Sequence, residues 1–155
     1  MHLINNLGGV IMLHTYTMVF HKCEKCGNEK NFFTSHRSET YPVLGEYITV
    51  FTPHFICAEC GSIVFDEKLD EESLKAAYDI YRKKHNLCNP NIIKGICDTQ
   101  HITIEKLSEV TGISAMRLNQ LQNGSVPNEL ESNMLKMVSM TFIYEIMCNI
   151  NNIPI

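Results

Sequence analysis

Hydrophobic positions change their period part-way along this chain. Up to about residue 65 apolar and polar residues alternate in short runs, and beyond it apolar residues recur every three or four positions. Alternation lines one face of a β-strand; the longer period lines one face of an α-helix. Residues 46–51 therefore read as a strand with Tyr47, Thr49 and Phe51 on one face, and 54–56 and 63–65 as two further short strands. The helical period starts at Asp70. That residue is suited to cap a helix whose first turn holds Glu71 and Glu72 and whose last holds Arg82, Lys83 and Lys84, the polarity that a helix dipole favours. Leu74, Ala77, Tyr78 and Tyr81 form its apolar stripe, and Asn89-Pro90 ends it.

The second half reads as a run of short helices. Pro90 suits the opening of one that carries Ile92, Ile93 and Ile96. Thr103 then caps a helix with Leu107, Ser108 and Val110, Gly112 makes a tight turn, and Ser114 caps a second helix with Leu118 and Leu121 facing inward until Gly124 stops it. A small residue at 108 lets the two helices cross closely, the glycine permits the turn, and Ile113 plugs the small core. This is the spacing of a helix-turn-helix, with Thr111 polar where an apolar residue is usual. After Pro127, Asn128 caps a helix with Leu130, Met134, Met137 and Val138, and Phe142, Ile146, Met147 and Ile150 extend an apolar face toward the carboxyl end.

Cysteine spacing adds the chemistry. Cys23-Glu24-Lys25-Cys26-Gly27 recurs as Cys57-Ala58-Glu59-Cys60-Gly61. Two residues between cysteines let one turn present both sulfurs to a single ion, and the trailing glycine tolerates the backbone that such a turn requires. Two turns supply four thiolates, the donor set of a closed tetrahedral zinc site. Cys23, Cys26, Cys57 and Cys60 are thus the expected ligands of one structural Zn2+. The 43 residues from Cys23 to Phe65 are near the length at which a domain needs a metal or disulfides to fold, about 40 residues, and short strands feeding cysteine turns describe a zinc ribbon. A redox dithiol is the competing use of a CxxC, but it needs one pair, not two. His21 and His54 lie close enough to a cysteine to replace a ligand, though surface or strand positions account for them better. Cys88, Cys97 and Cys148 have no partner spacing and read as small core residues.

The fold class expected is α+β in two small domains: an amino-terminal extension over 1–17, a β-rich zinc ribbon over 18–69, a connecting helix over 70–88 and an all-α helix-turn-helix domain over 89–155. Residues 1–20 lack Lys and Arg, hence the charged start of a secretory signal, and no run approaches the ~20 apolar residues of a membrane span. A cytoplasmic protein with reduced thiols is expected, and neither membrane partner nor catalysis.

The second helix of the pair would enter a DNA major groove with Ser114, Ala115, Met116, Arg117, Asn119, Gln120 and Asn123 as its contacts. Asn and Gln pair bidentately with adenine and Arg with guanine, and the helix start at Ser114 suits a phosphate. Charge opposes this: the net charge is −4, and residues 90–155 hold four Lys and Arg against six Asp and Glu. Phosphate contacts supply most non-specific affinity.

A double CxxCG module followed by such a helix pair resembles the MqsA-like antitoxins, the family with a YgiT-type zinc finger and an Xre-type helix-turn-helix, over about residues 18–145. The resemblance implies a structural zinc held by Cys23, Cys26, Cys57 and Cys60, an amino-terminal domain that binds a cognate toxin protein, and a carboxy-terminal domain that forms a homodimer, binds double-stranded DNA and represses its own operon. Met116 and Gln120 stand where that family's best-known member has base-reading Asn and Arg. The alternative expectation is a protein-interaction adapter whose helix-turn-helix no longer reads DNA.

Overall fold

A computed structural model describes residues 21–154; the extension expected over 1–17 and the alternating stretch just after it lie outside these residues. The architecture is α+β, a three-stranded antiparallel sheet followed by six helices among the described residues. The strands β1 (Phe32–Val43), β2 (Glu46–Cys57) and β3 (Ile63–Val64) lie in that order. Leu44 and Gly45 join β1 to β2, both at positive φ (47° and 88°), the backbone of a two-residue turn whose twist matches that of the strands. β3 runs antiparallel to β2, with Phe55 opposite Val64 and Ile56 opposite Ile63.

One sequence expectation changes here. The separate runs at 46–51 and 54–56 are one strand, because Pro53 precedes the short stretch of β2 that pairs with β3 and removes no hydrogen bond from that pairing. The Tyr47, Thr49, Phe51 face exists but is the outer one: Tyr47 is 81% and Phe51 70% exposed, while Ile48, Val50 and Thr52 are buried.

The helices are α1 (Glu67–Lys84), α2 (Asn91–Gln100), α3 (Ile104–Thr111), α4 (Ala115–Gln122), α5 (Glu129–Val138) and α6 (Thr141–Ile150). α1 begins before the expected Asp70, because Asp66 caps it, its Oδ1 accepting from the Leu69 amide at 2.9 Å. It also stops before Asn89-Pro90. Asn86 takes a left-handed conformation (φ 50°) and the Leu87 amide reaches back to the Arg82 carbonyl at 2.8 Å, a closure that satisfies the last carbonyls of a helix. The other caps fall where the sequence places them. Thr103 accepts from the Lys106 amide, Ser114 from the Arg117 amide, and Asn128 forms a reciprocal capping box with Glu131.

The chain divides into two compact units. Among the described residues, one holds 21–39 with Phe51–Glu71; the other holds Thr40–Val50 with 72–154. In the first, Cys23, Phe55, Cys57 and Val64 form the buried cluster, with Phe32, Cys60 and Leu69 against it. In the second, two clusters occur. Val43, Ile48 and Val50 pack with Ala77 of α1, flanked by Tyr78 and Tyr81, so the aromatic stripe of α1 covers the turn end of the hairpin. Ile93, Ile96, Leu107, Val110, Leu118, Leu121, Leu135, Val138 and Tyr144 form the helical core with Cys88 and Cys148. Leu130, Met137, Phe142 and Ile150, expected on apolar faces, are 50–82% exposed. Among the described residues no helix is long and apolar enough to cross a membrane.

Candidate functional site

The two cysteine turns are built alike, atom for atom. In the first, the Cys23 amide donates to the Asn28 carbonyl at 2.8 Å and the Gly27 amide to the Cys23 carbonyl at 2.7 Å; in the second, the Cys57 amide donates to the Ser62 carbonyl at 2.9 Å and the Gly61 amide to the Cys57 carbonyl at 2.8 Å. Gly27 and Gly61 close these turns at φ 73° and 69°, a region that a Cβ disfavours. The repeated trailing glycine is therefore a backbone requirement. Each turn hides its first cysteine and shows its second: Cys23 and Cys57 are buried, Cys60 is half-buried and Cys26 exposed.

The four sulfurs converge. Cys23 lies 3.5 Å from Cys60, Cys26 lies 3.5 Å from Cys57, and all four Sγ atoms are within 4.8 Å of one another. Four thiolates around one zinc at about 2.3 Å stand roughly 3.8 Å apart, inside that spread. None of the four is in a disulfide. They form the cluster of His, Cys, Asp and Glu able to hold a metal ion among the described residues, and neither His21 nor His54 belongs to it. His21 instead lies 2.9 Å from Asp66 with its ring against Phe55, and His54 lies 3.5 Å from Glu39.

Electrostatics in the cluster describe a site short of positive charge. Burial opposes ionisation of Cys57, but the Asn28 side chain, 3.4 Å from its sulfur, and the amides of Cys60 and Glu59 outweigh that and bring its thiol down to about 6. Ser62, through its hydroxyl and its amide, lowers the Cys60 thiol. For Cys26 the Asn28 amide pulls downward, yet desolvation and the three neighbouring sulfurs prevail and push the thiol up to about 12. Sulfurs this close cannot all ionise unaided, because each thiolate disfavours the next. A divalent cation among them removes that conflict, and the donor set is that of a structural metal site.

No protein-family model matches the chain, and no curated protein matches it. Its chemistry is therefore read from its own residues.

The second region of interest is the pair α3 and α4. Gly112 (φ 71°) ends α3, its amide donating to the Ser108 carbonyl at 2.9 Å. The anomalous Thr111 is explained: it is buried, its hydroxyl donates to the Leu107 carbonyl at 2.7 Å and accepts from the Ile113 amide at 3.2 Å, so it braces the turn. Leu107, Leu118 and Leu121 are at most 2% exposed, as their spacing implies, and Ile113 is half-buried against the same core.

The seven residues expected at the surface of α4 separate into two groups. Met116, Asn119, Gln120 and Asn123 are exposed. Ser114 spends its hydroxyl on the cap, and Ala115 is half-buried, its carbonyl accepting from the Asn119 side chain at 3.0 Å. Arg117 is turned away from that surface. Its Nε donates to Glu131 Oε1 at 2.8 Å and its Nη2 to Glu131 Oε2 at 2.9 Å and to the Val126 carbonyl at 3.0 Å. Each partner holds the other charged: Glu131 raises the pKa of Arg117, and Arg117 lowers that of Glu131. Sequence reasoning missed this pair. The one available signal was that Glu131 stands third after the cap Asn128, where a glutamate is held near the helix start.

Proposed function

We propose that this chain is a zinc-containing, DNA-binding transcriptional regulator of the MqsA-like kind, in which a metal-built module precedes a helix-turn-helix, and that it acts in the cytoplasm as the antitoxin of a toxin–antitoxin pair repressing its own operon. The observation that carries the reading is the α3–α4 pair, with caps at Thr103 and Ser114, a left-handed glycine between, and a polar stripe on the outside of α4. Such a second helix is the element that enters a major groove. The four clustered cysteines support the first module, and Zn2+ is the ion that their thiolate chemistry favours. Zinc there supplies folding energy and no reaction.

A homodimer through the carboxy-terminal domain is supported by α6, which is apolar on two sides. Tyr144 and Cys148 face the core, while Phe142, Ile146 and Ile150 form an exposed stripe at i, i+4 and i+8. A helix apolar on opposite faces finds a second partner. The adapter reading keeps one specific support: Arg117, the sole cation on α4, is engaged by Glu131.

The test is a gel-shift titration of the zinc-loaded chain against its own promoter duplex at low salt. A regulator forms a complex that weakens steeply as salt rises, since counterions are released on binding. No shift at low salt, with an adjacent gene's product co-purifying, decides for the adapter.

A further inference from the structure

On the reading that α4 enters a major groove, we infer that this helix selects A·T base pairs and makes no arginine–guanine contact. The outer surface of α4 holds a restricted set of side chains. At 3.6 residues per turn Met116, Asn119, Gln120 and Asn123 fall within roughly 100° of arc. They occupy the i, i+3, i+4 and i+7 positions, and all four are exposed, Met116 by 74%. Leu118 and Leu121 lie opposite, in the core. Arg117 projects to the side and is held by three hydrogen bonds, two of them to one carboxylate. Glu131 is fixed in turn, since its Oε2 also accepts from the Asn128 amide at 2.9 Å. To reach a guanine, Arg117 would have to leave a bidentate partner of opposite charge and expose a capping box.

What remains on the stripe has a definite preference. A carboxamide offers one donor and one acceptor, matching the N6 and N7 edge of adenine, and an apolar side chain packs on the C5 methyl of thymine. Three carboxamides and one methionine therefore form a surface for adenine and thymine. The Asn119 amide now donates to the Ala115 carbonyl at 3.0 Å, a local bond at the surface that rotation about its side chain exchanges for a base.

The experiment is selection of duplexes from a randomised pool by the full zinc-loaded chain, with the enriched sites sequenced. The expected result is half-sites whose enriched positions are A·T, with about tenfold discrimination against G·C at each, and loss of that discrimination at one base pair in Gln120→Ala. Arg117→Met, which removes every donor that pairs with guanine O6 and N7, is expected to leave the selected sequence unchanged. Enrichment of a guanine, whether or not it disappears in Arg117→Met, overturns the inference while leaving the regulator reading intact. Failure to enrich any duplex at low salt overturns both.

Discussion

The two compact units are stabilised by different means. In the cysteine unit the buried cluster is Cys23, Phe55, Cys57 and Val64, so half of it consists of side chains of the candidate metal site. The helical unit has eleven buried residues in its main core, drawn from α2 to α6 and the segment before α2, and eight of them are aliphatic. The first resembles the small domains that need a staple because their apolar surface is too little to offset chain entropy. The second closes on itself without one. The seven cysteines show the contrast: four converge in one cluster, whereas Cys88 and Cys148 are packed like small aliphatic groups and Cys97 lies half-buried against the same helical core.

On the proposed zinc reading, the largest effect that separates the units is metal loss. Structural zinc sites contribute about 10–16 kcal/mol of apparent binding energy, far more than so small a cluster of apolar residues provides. Chelation, or Cys57→Ser, is expected to collapse the amide resonances of the cysteine unit while those of α2 to α6 keep their dispersion in a two-dimensional NMR spectrum. Equal collapse of both sets would erase the comparison.

A core truncation is the converse test. Leu118 is fully buried, and Leu118→Ala is expected to cost about 2–5 kcal/mol through lost contacts and a cavity. Thermal unfolding followed at 222 nm should show the helical transition at lower temperature, with zinc affinity, measured by competition with a chromophoric chelator, unchanged. A parallel fall in zinc affinity would show that the units do not hold independently.

The smallest effect concerns charge within the helical unit. Pairing with Arg117 lowers the Glu131 carboxyl pKa below its ordinary range. A carboxyl whose folded pKa is depressed contributes stability that is complete above its unfolded value, about 4.3, and that is lost as pH falls through the folded value. Glu131→Gln is expected to cost about 1–3 kcal/mol at neutral pH. It should also flatten the acid limb of a denaturant midpoint measured from pH 7 down to pH 3. An unchanged acid limb would show that the pair contributes nothing.

How far the chain was legible follows the same physical division. The paired cysteines, the caps at Thr103, Ser114 and Asn128, and the inward Leu107, Leu118 and Leu121 were readable, because local spacing determines them. β1 was not. Its sequence is mostly polar with a proline at position 42, as an edge strand allows, and the turn that follows it has Leu44 rather than Asn or Asp at positive φ. The start of α1 was misplaced by the acidic run from Asp66 to Glu72, in which several residues can cap and only the fold selects one. The Arg117–Glu131 pair was hidden because it joins residues in different helices, and no local period reports such a contact.

Each cysteine turn is closed by bonds within its own six residues, and Asn31 of the intervening segment braces the second turn, its carbonyl accepting from the Ala58 amide at 2.9 Å and its side chain donating to Glu59 at 3.0 Å. Over evolutionary time the outer face of the intervening hairpin, where Tyr47 and Phe51 are exposed, is free to change, whereas Val43, Ile48 and Val50 are held by their packing on Ala77. That outer surface can be rewritten without rebuilding either cysteine turn.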